Sequence, residues 1–273
     1  MGIKSLTLSA AGVILAAALD TAGPWSLPRG TAVKDAGPRT YRFAVDYTAA
    51  DIRGEVTHRQ RVEAAYTRGL PGGEVVWSDV SVAEADGATA PLGEPRKPAF
   101  MQGLRYRKGP ATMTEMMKPE FFGNAPPTAV VERNLVWDLE ALEMFGQTQF
   151  EHLKLNEPYR LLSSQTVDMP GIGTFENRDV RLTWTGRSHR NGQDCAVIDY
   201  RAYFNPLKVA NGGMTLQGRS HYWGQIWVAL ATRQIEYATL YEDVLGEMKL
   251  AGQDTPQIID VFRSAVLEPV ARR

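Results

Sequence analysis

The sequence predicts a mainly β protein of the α+β type: a curved antiparallel sheet or open half-barrel, an amphipathic helix packed on it, and a second helix at the C-terminus. Three observations carry this reading. Apolar and polar residues alternate over Tyr41 to Thr48, Val180 to Thr185 and Ala196 to Phe204, the period of a strand with one buried face. Turn-forming pairs such as Pro71-Gly72 and Asn191-Gly192 separate runs of this kind. One segment, Leu135 to Leu153, instead repeats its apolar residues every three or four positions.

At the N-terminus, Lys4 precedes an apolar run from Leu6 to Leu19. This is the order and length of an export signal, and it is too short for a bilayer span of roughly 20 residues. Asp20 interrupts the small residues around it, which places cleavage between Ala18 and Gly23; the other reading is a helix that stays attached. Residues 1–22 are therefore expected to be a signal, 23–40 a Pro- and Gly-bearing linker, and 41–273 a single β-rich domain, since no shift in composition divides them. The expected location is secreted or periplasmic. Cys195 is the only cysteine, so no internal disulfide can form and stability must come from packing. A buried, inert thiol is expected there.

Strands are expected at Tyr41 to Thr48, Glu55 to Tyr66, Glu74 to Glu84 and, briefly, Phe100 to Tyr106, with a looped Gly-, Ala- and Pro-rich stretch between Asp86 and Pro98. Met113, Met116 and Met117 read as core filler or as adaptable cavity lining. After Pro126-Pro127, Leu135, Leu139, Leu142, Gly146, Phe150 and Leu153 form the helical stripe, with Asp138, Glu143, Gln147 and Glu151 on other faces and an end near Asn156. A three-residue loop, Arg190-Asn191-Gly192, would pair Trp184 with Ile198 and Leu182 with Tyr200. A two-residue loop would set apolar groups against charges, so the first register is preferred. The C-terminal helix is expected to start at Thr255-Pro256 and to bury Ile258, Ile259, Phe262, Ala265 and Val266.

Two near-identical octads, GRSHRNGQ at 186 to 193 and GRSHYWGQ at 218 to 225, each place a serine beside a histidine. Neighbouring side chains on a strand point to opposite faces, so neither pair can act as nucleophile and base. The first octad is a hairpin tip. In the second, Arg219, His221, Trp223, Gln225 and Trp227 share one face, while Ser220, Tyr222, Gly224, Ile226 and Val228 share the other. Both faces carry apolar or aromatic groups, so something is expected to cover the tryptophan face: the helix or a ligand. Arg219, His221, Trp223, Gln225 and Trp227, with Trp137 from the helix, form the candidate binding set. The one catalytic candidate is His221, with Glu236 or Glu242 as its orienting carboxylate.

Acidic and basic residues nearly cancel, 31 against 30, which removes the electrostatic reason to expect nucleic acid. No metal-ligand spacing, phosphate loop or dinucleotide fingerprint occurs, so no cofactor or metal is expected. The strand Gly218 to Val228, turning through a short polar loop into Ile235 to Leu240, looks like the corresponding strands of periplasmic lipoprotein-carrier half-barrels. That resemblance implies an open barrel with a helix plug and an apolar cavity for an acyl chain, and it supplies no catalytic residue. The expected function is binding of an amphipathic or lipid-like small molecule on the aromatic face by an exported soluble protein. The alternatives are a cleft enzyme using His221 and an envelope structural or protein-interaction module.

Overall fold

A computed structural model describes residues 26–271 except 31, 110, 111, 117, 127, 128, 170–172, 212 and 254; the expected signal and Met117 lie outside the described residues. Ten strands form one antiparallel sheet that does not close. They are β1 (Arg39–Asp51), β2 (Val56–Arg68), β3 (Glu74–Asp86), β4 (Arg105–Arg107), β5 (Pro158–Met169), β6 (Gly173–Arg190), β7 (Gln193–Asn211), β8 (Met214–Ala229), β9 (Ile235–Leu250) and β10 (Gln257–Pro269). The spatial order is β4-β3-β2-β1-β10-β9-β8-β7-β6-β5. Two meanders are thus joined by the pairing of the last strand with the first. Between them in sequence lie a short helix, α1 (Thr112–Glu115), and the main helix, α2 (Val130–Gln147).

The C-terminal segment corrects the expected helix. β10 pairs along its length with β1 on one side and β9 on the other, Ala265 facing both Val45 and Leu240. Arg263, Ala265 and Leu267 turn inward and are buried, while Phe262 is 40% exposed on the other face. The helical spacing of the apolar residues loses to two ladders of backbone hydrogen bonds that only a strand in this slot can complete. Two further boundaries differ: of the expected fourth strand only Arg105 and Tyr106 are extended, within β4, and α2 stops at Gln147, ahead of a 3-10 turn at Phe150–His152.

The β6–β7 hairpin keeps the expected core register by a different route. Trp184 faces Ile198 and Leu182 faces Tyr200, yet Arg190 faces Gln193 across a two-residue turn of Asn191 and Gly192. Both turn residues have positive φ, 51° and 74°, as a type I′ turn requires. The extra residue is taken up at Thr185, where the register shifts between Trp184 and Gly186, a β-bulge.

The helix lies on one side of the sheet, here termed the inner face. Leu135, Leu139, Leu142 and Phe145 are buried against Phe43, Val62, Tyr66, Trp77, Tyr200, Ile226 and Val228 in one core, which also takes in Met116. Gly146 presses on Ile226 and Val228 of β8, Phe145 lies 5.1 Å from the Tyr200 ring of β7, and Glu143 holds Arg68 of β2. β2 and β7 are five strands apart in the sheet order, about 24 Å if flat, against a helix diameter of about 10–12 Å. The sheet therefore curls around α2, the open half-barrel expected. The stretch read as a linker is held against the same end of the sheet: Leu27 is buried, and Asp35 pairs with Arg68 at 3.0 Å.

A side chain on Gly146 would meet Ile226 Cγ2 at 2.9 Å and Val228 Cγ2 at 3.1 Å. Gly146→Leu is expected to lower stability by about 1–3 kcal/mol through overpacking, read as a drop in the urea midpoint; an unchanged midpoint would contradict this packing.

Candidate ligand-binding site

The five β8 residues of the expected site do share one face, but it is the face α2 does not cover. Gly146 contacts Ile226 and Val228 on the inner side, which leaves Arg219, His221, Trp223, Gln225 and Trp227 on the outer side. Trp137 belongs to α2 and packs against the inner core, so the sheet separates it from the other five. Of the two covers expected for the tryptophan face, the helix is thereby excluded. Sequence alternation shows that both faces of β8 are apolar; it carries no information on which side the helix lies.

The outer aromatics satisfy one another in cross-strand groups. Trp223, 37% exposed, stacks on Tyr241 at 5.9 Å and leans on Phe262 at 6.4 Å. Trp227 meets Tyr237 edge-on at 5.2 Å, and the Arg190 guanidinium lies 3.6 Å above the Tyr237 ring. His221 sits edge-on to Phe204 at 4.9 Å, with Arg219 over the same ring. Gln225 donates to Asp199 Oδ1 at 2.8 Å. A hollow of about 580 Å³ at the far ends of β7, β8 and β9 is lined by Lys208, Thr215, Gln217, Glu247 and Lys249 among others, and by none of the expected site residues.

Neither proposed carboxylate orients His221. Glu236 is buried and held by Arg39 through two hydrogen bonds of 2.8 and 2.6 Å. Glu242 faces inward, bonded to Ser220 and paired with Arg263. The residue opposite His221 in the ladder is Asp243. The general acid–base arrangement expected around His221 is therefore not assembled. Cys195 is fully buried, and burial pushes its thiol up to about 11, so the inert reading holds.

The inner face holds what the sequence reading missed: two buried polar clusters tying α2 to the sheet. In the first, Arg68 reaches Glu143 at 2.8 Å, Lys108 bridges Glu140 and Glu143, and Tyr106 donates to Glu140 at 2.9 Å. Burial would raise the Glu143 carboxyl, but Lys108 and Arg68 outweigh it and hold it below the usual range. In the second, Arg263 donates to Asp138 at 2.7 and 3.0 Å and also pairs with Glu242, which accepts from Ser220. Two carboxylates share one guanidinium. Burial, partly offset by Arg263, pushes the Asp138 carboxyl up to about 6. The available signal was an arginine placed within an inward alternation, Arg263-Ala265-Leu267, opposite a helix carrying acidic residues inside its apolar register.

Beyond this second cluster the inner face continues without a described element packed over it. The first turn of α2 lies toward β2 and β3, where Glu132 pairs with Arg96 at 2.6 Å, while β6 to β10 run on. Their inward positions are Phe175, Leu207, Val209, Leu216, Val244, Met248, Ile259 and Val261, all only half-buried. Under the helix, by contrast, Ile226, Val228, Ala238 and Ala265 are buried to 1% exposure or less. Gly218 and Gly246 face each other in the middle of this floor. A Cβ on Gly218 would lie 2.4 Å from the Leu245 carbonyl oxygen, so only glycine allows the close approach. The result is a shallow apolar trough, low along the glycines and bounded by aliphatic side chains, that ends at Ser220, Glu242 and Arg263.

No family model matches the chain, and no curated protein matches it significantly. Among solved structures, lipovitellin, from a study of lipid–protein interactions, aligns over 87% of this chain and 26% of its own, with 9% identity and a TM-score of 0.43. The chain thus spans about a quarter of the lipovitellin chain. A DUF1329 family protein from Desulfovibrio piger aligns over 85% of this chain and 84% of its own at 10% identity, TM-score 0.14. Botulinum neurotoxin type C aligns over 86% and 83% at 9% identity, TM-score 0.14. Among the described residues no helix is long and apolar enough to cross a membrane, and no group of three or more His, Cys, Asp or Glu could hold a metal ion.

The Asp138 carboxyl gives a test of the second cluster. Its folded pKa lies above the usual aspartate value, so the folded chain holds a proton that the unfolded chain releases. Stability from this group is full below about pH 4 and is lost as pH rises through about 6. Asp138→Asn stays neutral throughout. Its stability relative to the parent is expected to improve by on the order of 1–3 kcal/mol between pH 4 and pH 7.5, measured by urea unfolding; a difference independent of pH would refute the assignment.

Proposed function

We propose that this is an exported protein that binds an amphipathic, lipid-like molecule, with the apolar part of the ligand lying in the inner trough of β6 to β10. The observation that carries the reading is the run of half-buried aliphatic residues on the inner face past the end of the helix-covered core. A contiguous apolar floor exposed to water is costly, and each ligand methylene buried on it contributes roughly 0.8 kcal/mol. The floor also ends at buried polar groups, Ser220, Glu242 and Arg263, so its two ends suit the two ends of an amphipathic molecule. Export is supported by the Lys4 and Leu6 to Leu19 pattern.

The inner trough replaces the outer tryptophan row as the preferred surface for a physical reason. On the outer face the large rings are already packed ring on ring, and charged or polar residues such as Arg219, Gln225 and Asp243 interrupt them. On the inner trough the apolar side chains are mostly aliphatic and, among the described residues, only half-buried. The carrier-like architecture read from the sequence supports the same class of ligand.

Titration with a fluorescent long-chain fatty acid separates the two surfaces. Leu216→Asp and Val244→Asp, with unchanged far-UV circular dichroism, are expected to weaken binding at least about tenfold, and Trp223→Ala to leave it unchanged. Loss of binding in Trp223→Ala with full binding in Leu216→Asp would place the ligand on the outer row. No saturable binding by the parent protein would overturn the proposal.

A further inference from the structure

We infer that the outer face of β7 to β10, around Phe204, docks on the surface of an anionic phospholipid bilayer. The inference does not rest on the ligand reading, which concerns the opposite side of the sheet. Of the eight large hydrophobic side chains exposed among the described residues, five lie on this patch: Tyr203, Phe204, Trp223, Leu245 and Phe262. Ring contacts link Tyr203 and Phe204 to His221, and Trp223 to Tyr241 and Phe262. Leu245 faces Arg219 across the β8–β9 ladder. The patch crosses four neighbouring strands, about 14 Å, and a contiguous exposed group of this kind marks an interaction surface.

The backbone is bent to make the patch protrude. Ala202 faces Tyr222 and Asn205 faces Ser220, so Tyr203 and Phe204 together oppose His221 alone. This is a β-bulge, and it holds Phe204 at a φ of 58°, where a bulky residue is strained. Asn205 locks the bulge in place. Fully buried, it donates to the Ala202 and Ser220 carbonyls at 3.4 and 3.2 Å and accepts from the Arg178 backbone N–H at 2.8 Å. Phe204 is left 59% exposed and Tyr203 46%. A segment strained so that it holds two aromatic rings in water is accounted for by a contact outside the chain.

The charges beside the rings identify the occupant. Cross-strand partners set Arg160, Arg181, Arg201 and Trp223 in one row over β5, β6, β7 and β8. Like charges directly opposite one another are unfavourable. Asp179 offsets Arg160 and Arg181, each at 2.6 Å. Arg201 and Arg219 are exposed, and among the described residues no carboxylate pairs with either; Arg219 lies over the Phe204 ring. Of the carboxylates nearby, Asp199 accepts from Gln225, and Asp243 and Asp260 lie against each other. Aromatic rings with arginines beside them match the headgroup level of a bilayer, where rings enter between headgroups and guanidinium groups meet anionic phosphates. The sheet curls around α2, so this face is convex and fits among lipid headgroups more readily than it cradles a peptide.

Flotation of the full chain with phosphatidylglycerol–phosphatidylcholine vesicles tests the docking. The parent protein is expected to float with these vesicles, less so as salt rises, and at least about tenfold more weakly with phosphatidylcholine alone. Arg201→Glu and Phe204→Asn are each expected to lower partitioning onto the anionic vesicles at least about tenfold. Asparagine tolerates the left-handed conformation, so Phe204→Asn is expected to keep or raise the urea midpoint while losing vesicle binding, which separates lost docking from lost folding. Leu216→Asp, in the inner trough, is expected to float like the parent. A parent protein that does not float with anionic vesicles would overturn the inference and leave the patch to an acidic protein partner. Equal binding to phosphatidylcholine alone, partitioning unchanged in both outer-face variants, or loss confined to Leu216→Asp would each overturn it as well.

Discussion

The structure depends on one mismatch of lengths. Strands β6 to β9 hold 16 to 19 residues, or roughly 54–65 Å of extended chain. The helix that covers their inner face holds 18 residues, about 27 Å. An open antiparallel sheet is stable when one face is buried, and here the burial stops partway along the strands. Under the helix, inner side chains are sealed; past it they are half-covered. The trough is the part of the inner face that no described element seals.

Buried charge fixes where the covered part ends. α2 is enclosed on most sides, so Asp138, Glu140 and Glu143 enter the interior rather than facing water, and each is matched by Arg263, Lys108 or Arg68. Isolated buried carboxylates would be far too costly. These pairs set the rotation and height of the helix on the sheet, since sliding it would separate them. Arg263 stands at the junction, joining helix, β9 carboxylate and, through Glu242, the Ser220 hydroxyl at the inner end of the trough.

Much of the β architecture was legible because strand periodicity and turn chemistry are local. The strands of β1 to β3 and the Trp184–Ile198 register followed from alternation, while the three-residue loop read with that register is in fact a two-residue Asn191-Gly192 turn. The bulge at Thr185 did not follow, because a one-residue insertion leaves the pattern on either side intact. β10 was misread because Ile258, Ile259, Phe262, Ala265 and Val266 fit a helical spacing, and only the vacant slot between β1 and β9 decides otherwise. The outer row of Arg219, His221, Trp223, Gln225 and Trp227 was correctly placed on one face. Which face α2 covers was not readable, since it depends on long-range packing. One cue was present in the sequence: Gly146 interrupts the apolar stripe of the helix where its backbone must meet the β-branched Ile226 and Val228.

The most direct measurement is paramagnetic broadening of side-chain resonances by a fatty acid spin-labelled on its chain. Occupancy of the inner trough predicts selective broadening of the Leu216, Val244 and Val261 methyl signals, while the Trp223 and Trp227 indole signals keep their widths. Broadened indoles with sharp methyls would contradict the account and return the ligand to the opposite side of the sheet.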